Sequence, residues 1–161
     1  MSNQPEKLLF DLPAGQVEIA LRPDLAPNHV ARIVELVREG FYDGTPFHRV
    51  IAGFMAQGGD PTGTGTGGSG KNIKAEFSQE PFKRGTCGMA RAQDPNSADS
   101  QFFICLGDAE FLNGQYTLWA EVVSGMEAVD ALKKAPPSRR SGMVDDPDKL
   151  IRARVAGDSE N

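Results

Sequence analysis

The β-prone runs of this chain are short, each is closed by glycine or proline, and only two stretches between them carry a helical period. A doubly wound α/β sheet needs a helix after nearly every strand, so that architecture is excluded. Leu8 to Leu12 and Gln16 to Arg22 meet across Pro13-Ala14-Gly15 and read as an antiparallel hairpin, with Val17, Ile19 and Leu21 alternating with polar neighbours. Further runs lie at Phe47 to Ile51, from Met55, at Thr86 to Arg91, at Ser100 to Leu106, at Tyr116 to Val123 and at Leu150 to Val155. In the Tyr116 run, Leu118 and Ala120 alternate with residues of exposed type. Val30, Ile33, Val34 and Val37 recur at helical spacing between Ala26-Pro27 and Gly40, and Met126, Val129 and Leu132 predict a second helix from Gly125 to Lys134. About eight short strands and two isolated helices predict a mainly β fold, an eight-stranded antiparallel barrel closed on itself.

At 161 residues, a single domain spanning 1–161 buries roughly two-thirds of its unfolded surface without needing staples. The net charge of −5 and the scattered Lys and Arg exclude a basic nucleic-acid footprint. Neither a signal-like N-terminus nor a run of about 18 apolar residues is present, so no membrane partner is expected. Cys87 and Cys105 each sit in an apolar run, which reads as buried reduced thiols and a cytoplasmic location. With His29, His48 and the two cysteines so far apart, no metal-ligand spacing is found.

Phe47-His48-Arg49-Val50-Ile51-Ala52-Gly53-Phe54-Met55-Ala56-Gln57-Gly58-Gly59-Asp60 places Phe47, Arg49 and Ile51 on one strand face, and Met55 and Gln57 on one face of the next run. A guanidinium, a thioether and a carboxamide together fit neither a core nor an ordinary solvated surface; they fit a groove for something half apolar and half polar. Ser100-Gln101-Phe102-Phe103-Ile104-Cys105-Leu106 repeats the mixture, with Phe102, Ile104 and Leu106 on a core face and Gln101, Phe103 and Cys105 opposite. Between these runs, the small Gly88 and Ala90 permit close approach by another chain's backbone.

Together with Met89-Ala90-Arg91-Ala92, these motifs resemble the cyclophilin family of peptidyl-prolyl cis-trans isomerases over about Val17 to Val129. The resemblance implies an eight-stranded barrel with a helix capping each end, no cofactor, and an isomerase that acts as a monomer on proline-containing unfolded or loop segments and assists folding as a chaperone does. It also implies that Phe54, Met55, Phe103 and Leu112 line a proline socket, that Arg49 is the catalytic cation, and that Gln57 orients Arg49 and the substrate carbonyl. Ala90, the backbone of Arg91, Ala92 and Gln101 would flank the residues before proline. Where the cyclosporin-binding members carry tryptophan, asparagine and histidine, this chain has Phe111, Arg91 and Tyr116. Phe111 is expected to keep the wall but lose the indole donor, which implies weak cyclosporin binding.

Other readings compete with this one. Gly63-x-Gly65-x-x-Gly68 and Gly65-x-Gly67-x-x-Gly70 match a dinucleotide pattern, and Gly65 to Lys71 has P-loop spacing with Asn72 where the Ser or Thr belongs. Both motifs need a following helix, for which Asn72 to Gln79 leaves no room before Pro81, so the segment reads as a flexible loop over a barrel wall. His29 in the first helical turn reads as solvated or locally bonded, and His48 as a structural hydrogen-bonding residue. A catalytically idle domain that only holds proline-containing loops, as scaffold or chaperone, is the rival to the enzyme; the intact set Arg49, Gln57 and Phe103 favours the enzyme.

Overall fold

A computed structural model describes residues 7–157; the ends of the expected 1–161 domain lie outside them. Strand β1 (Lys7–Leu12) turns through Pro13 and Ala14 into β2 (Gly15–Leu21), and α1 (Pro27–Arg38) follows. Next come β3 (Thr45–Pro46), β4 (Arg49–Ile51), β5 (Met55–Gly58), β6 (Thr86–Met89), β7 (Phe102–Cys105), β8 (Leu118–Ser124), α2 (Met126–Asp130), β9 (Lys149–Leu150) and β10 (Arg152–Val155). Eight of the strands form one antiparallel sheet in the order β10-β1-β2-β8-β6-β7-β5-β4.

The barrel is not closed in the expected way. No ladder joins the edge strands β4 and β10 among the described residues. Instead β3, just before β4, pairs with β9, just before β10, through Thr45 opposite Leu150 and Pro46 opposite Lys149. Pro46 has no N–H to donate, and so short a ladder leaves the sheet a half-barrel bridged at its seam.

Alternation along the strands sorts apolar residues into two clusters. Leu8, Phe10, Val17, Ile19, Phe102, Ile104 and Trp119 fill the interior. Met55, Phe82, Phe103, Cys105, Leu112 and Leu118 form a second cluster on the opposite face. Helix α1 packs on β8 and β10, and α2 packs on β2. The α1 stripe is buried as the spacing predicts, at Val30, Ile33, Val34 and Val37 with Leu36 added, each contributing roughly 1.5–3 kcal/mol relative to exposure.

Several local expectations change. Phe47 lies outside β4 and joins the interior with Val50, so it does not share a face with Arg49 and Ile51. Trp119 is fully buried, not of exposed type. Opposite Cys87 and Gly88, β8 places Ala120 and Leu118, so one extra residue bulges at Trp119. The bulge sends Trp119 and Ala120 inward and turns Leu118 to the outer cluster. Helix α2 ends at Asp130, four residues early. The Lys133 amide donates to Asp148 Oδ2 at 2.8 Å instead of continuing the helical ladder, and Leu132 N already bonds Val129 O in a 3₁₀ turn.

Candidate active site

The outer face of the sheet carries one cross-strand row. Arg49 on β4 stands directly opposite Gln57 on β5, Gln57 opposite Phe103 on β7, and Phe103 opposite Gly88 on β6. Period-2 alternation puts a cation, a carboxamide and an aromatic ring side by side because each strand contributes its outward residue at the same level. Gly88 completes the row by leaving space: a Cβ there would lie 2.4 Å from Phe103 Cζ and 2.8 Å from Phe82 Cε2. That space is filled by the protein's own rings, which corrects the reading of Gly88 as room for a substrate backbone. Phe103 stacks on Phe82 at 5.8 Å and meets Tyr116 edge-on at 5.8 Å, so the ring is held from both sides.

A relay of hydrogen bonds orients the polar part. Arg49 Nε donates to Ser141 O at 2.8 Å and Nη1 to Gln57 Oε1 at 3.2 Å; Nη2 makes no hydrogen bond among the described residues. Gln57 Nε2 donates to Gln101 Oε1 at 2.9 Å, and Gln101 Nε2 to Gly67 O at 3.0 Å. Each amide is thereby fixed in one orientation, so the acceptor side of Gln57 must face Arg49.

Arg49, Phe54, Met55, Gln57 and Phe103 converge on a cavity of about 160 Å³, closed by Ala90, Arg91, Leu112 and Tyr116. Drug-sized ligands occupy about 300–1,000 Å³, so this cavity suits one ring or one small side chain. Its floor is apolar, Met55 and Phe103 being almost fully buried, and its rim carries Arg49. Gln57, Ala90 and Arg91 also border a second, polar cavity of about 380 Å³, where Ala92, Gln101 and the 65–68 backbone join them. The two cavities form one groove with an apolar and a polar end.

Phe111 is placed elsewhere. In the 3₁₀ turn Glu110–Leu112, Leu112 turns inward and Phe111 outward, so Phe111 is 70% exposed and lines neither cavity. Its ring lies against Phe54 at 5.4 Å, making an apolar lip outside the socket.

The wall of the polar cavity is anchored by two carboxylates that the sequence reading did not single out. Asp60 accepts from Thr62 N, Thr62 Oγ1, Gly65 N and Gly67 N at 2.6–3.1 Å. Asp99 accepts from Ser69 N at 2.8 Å and Gly70 N at 2.9 Å. Burial raises the Asp60 carboxyl, but the hydrogen bonds from Thr62, Gly67 and Gly65 outweigh it and hold the group at about 2. The loop expected to be flexible is therefore tied down. The Gly65, Gly67 and Gly70 amides, which a phosphate cradle would need, are spent on carboxylates, and no helix follows the motif. Glu76 on the same long connection accepts from the Asn28 and His29 amides at the start of α1 and from His29 Nδ1 at 2.6 Å.

The histidines differ in part from expectation. Of the two readings of His29, solvated or locally bonded, the first is overturned: the ring is fully buried and hydrogen-bonded, to Glu76 on a distant segment. His48 is buried beneath the glycine loop, and neither ring nitrogen makes a hydrogen bond of ordinary geometry among the described residues. Burial pushes both pKa values down, with the Glu76 and Asp60 carboxylates respectively opposing it. Among the described residues no group of His, Cys, Asp and Glu could hold a metal ion, and no helix is long and apolar enough to cross a membrane.

Comparison with known proteins places this geometry. The family model described as cyclophilin type peptidyl-prolyl cis-trans isomerase/CLD matches residues 8–155. A Brucella suis protein named a probable peptidyl-prolyl cis-trans isomerase is 53% identical over 165 residues, covering 95% of this chain and 84% of its own length. Peptidyl-prolyl cis-trans isomerase B of Bacillus subtilis is 46% identical over 115 residues, covering 70% of this chain and 80% of its own. The crystal structure of a Cryptosporidium parvum cyclophilin type isomerase in the presence of the dipeptide Ala-Pro superimposes with a TM-score of 0.85 at 30% identity, over 94% of this chain and 99% of that one. Cyclophilin AquaCyp293 from Hirschia baltica gives a TM-score of 0.83 at 30% identity, over 97% of this chain and 76% of that one. The chain belongs to the cyclophilin-type peptidyl-prolyl cis-trans isomerases.

Proposed function

We propose that this isomerase turns X-Pro bonds in the apolar end of the groove, with Arg49, Gln57 and Phe54 acting on the bond. Met55, Phe103, Leu112 and Tyr116 seat the pyrrolidine ring, and Ala90, the backbone of Arg91, Ala92 and Gln101 hold the residues before it. The observation that carries the reading is the relay Ser141–Arg49–Gln57–Gln101, which aims a buried-edge cation into a socket of one-ring size. Rotation meets a barrier of about 18–20 kcal/mol because it breaks amide resonance. Accelerating it about 10⁵-fold takes roughly 7 kcal/mol of differential stabilisation and neither nucleophile nor proton shuttle.

In this mechanism the apolar floor binds the ring in both isomers, and specificity for the twisted state comes from Arg49. As the bond turns, the prolyl nitrogen becomes pyramidal and gains a lone pair, which accepts from Nη2, the donor left free by Ser141 and Gln57. Gln57 keeps the guanidinium in place, so no reorganisation is needed at the transition state. Phe54, on the cavity wall with Phe111 against its outer side, keeps water from the nitrogen.

The same reading extends to finer points. The substrates are proline-containing unfolded or loop segments, in line with the Ala-Pro present in the Cryptosporidium crystal. The protein acts as a monomeric single domain, assists folding, and binds cyclosporin weakly because Phe111 has no N–H to donate. Its two cysteines are free and buried, which supports a reducing, cytoplasmic setting. The test is an isomerisation assay on an Ala-Pro tetrapeptide: a rate well above the uncatalysed one supports the enzyme, whereas the uncatalysed rate leaves only a holding module or chaperone.

A further inference from the structure

We infer that the Arg91 side chain is a positioning residue that sets the width of the proline socket by clasping the two segments beside it. Arg91 Nε and Nη2 donate to Gln115 O at 3.2 and 2.7 Å, while Nη1 donates to Ala92 O at 2.9 Å and Gln93 O at 3.2 Å. The guanidinium carbon lies 4.6 Å from the centroid of the Tyr116 ring, and that ring stands edge-on to Phe103. One planar cation thus joins 91–93 to 115–116, and through Tyr116 it presses on the socket floor.

The position of the clasp gives it a functional consequence. Arg91 borders the apolar and the polar cavity together, so a shift in its side chain moves the wall between them. Four of the five guanidinium hydrogens are directed at carbonyls, which makes the side chain a brace instead of a charge offered to substrate. Lysine cannot replace it: an ammonium has neither the planar fork for three carbonyls nor the flat face for the ring. The carbonyls it engages lie at the exposed surface and are rehydrated when it is removed, so the fold stands while Tyr116 loses its support.

This inference rests on the socket assignment above, and the experiment separates the two. Ala-Pro and Ala-pipecolyl tetrapeptides, the second with a ring one methylene larger, are compared on wild type, Arg91→Gln, Arg91→Lys, Tyr116→Leu and the Arg91→Gln/Tyr116→Leu double variant. In Arg91→Gln and Arg91→Lys alike, KM for Ala-Pro rises about tenfold with kcat within about twofold, and the preference for Ala-Pro falls about tenfold, or about 1.4 kcal/mol. The double variant is no worse than Tyr116→Leu alone, since the clasp acts through that ring. A preference unchanged in Arg91→Gln, restoration by Arg91→Lys, or additive effects in the double variant overturns the clasp. Arg49→Ala, assayed alongside, overturns the socket assignment itself if its activity is undiminished.

Discussion

Replacing Gly88 by alanine adds one methyl group at a crowded point under the aromatic floor of the site. The new Cβ would lie 2.4 Å from Phe103 Cζ and 2.9 Å from its Cε1, with Phe82 Cε2 at 2.8 Å. Carbon atoms rest at about 3.5–4.0 Å, so the rings must give way by about 1.1 Å or more. Phe82 is fully buried and stacked on Phe103, and Tyr116 stands against the other side, so the open direction for Phe103 is into the cavity of about 160 Å³. Overpacking of this kind costs about 1–3 kcal/mol. At about 2–4 °C per kcal/mol for a chain of this size, the melting temperature should fall by about 2–12 °C. A displacement of about 1 Å in a positioned group can cost as much as 10²-fold in rate, so kcat/KM on an Ala-Pro peptide should drop at least about tenfold. Calorimetry and the isomerisation assay on the same preparation decide the matter. A melting temperature within about 1 °C of wild type together with kcat/KM within about twofold would refute the argument that Gly88 sets the depth of the socket.

Three further outcomes follow from the same structure. Asp60 has a folded-state pKa of about 2 against 3.8, so its stabilisation is present above about 3.8 and is lost as pH falls toward 2; Asp60→Asn should remove about 2 kcal/mol at pH 7 and flatten the acid limb of a urea-midpoint profile, and an unaltered limb counts against the anchor. His29 is lowered by burial, so the unfolded chain binds its proton first and stability declines as pH falls below about 6.5; His29→Gln should reduce that slope, and an identical slope in both proteins contradicts the assignment. Phe111→Trp should tighten cyclosporin binding roughly tenfold to a hundredfold by restoring an N–H donor, with little change in Ala-Pro turnover, and equal affinities on titration would move attention to Arg91 or Tyr116.

The parts of the fold legible in the sequence are those that rest on alternation. Val17, Ile19 and Leu21 on β2, and Phe102 and Ile104 against Phe103 and Cys105 on β7, sort to opposite faces as their spacing demands. What alternation cannot see is a change of register. The bulge at Trp119 and the β3–β9 pair that bridges the seam are set by partners distant in sequence. At the site, the strand residues Arg49, Gln57 and Phe103 were legible, whereas Phe111 depended on the sense of a 3₁₀ turn. Ser141 carries no local signal at all, because its carbonyl reaches Arg49 across 92 positions. Asp60 did carry one: a carboxylate beside a run of glycines has free amides within reach, and the same glycines that spell a phosphate motif can bind a side chain instead, whereas Asp99 reaches Ser69 and Gly70 from about thirty positions away.

Arg49 is proposed to stabilise the twisted prolyl nitrogen from a fixed position. The most direct test is kcat/KM for an Ala-Pro tetrapeptide on wild type and Arg49→Ala, with melting temperatures measured in parallel. Removing a preorganised donor of this kind is worth about 3 kcal/mol or more, so activity should fall at least about 10²-fold. Arg49 is half-buried at the rim of the groove, and the melting temperature should barely move. A kcat/KM for Arg49→Ala within about threefold of wild type would contradict the account, because that donor is asked to supply a large share of the roughly 7 kcal/mol that the reaction needs.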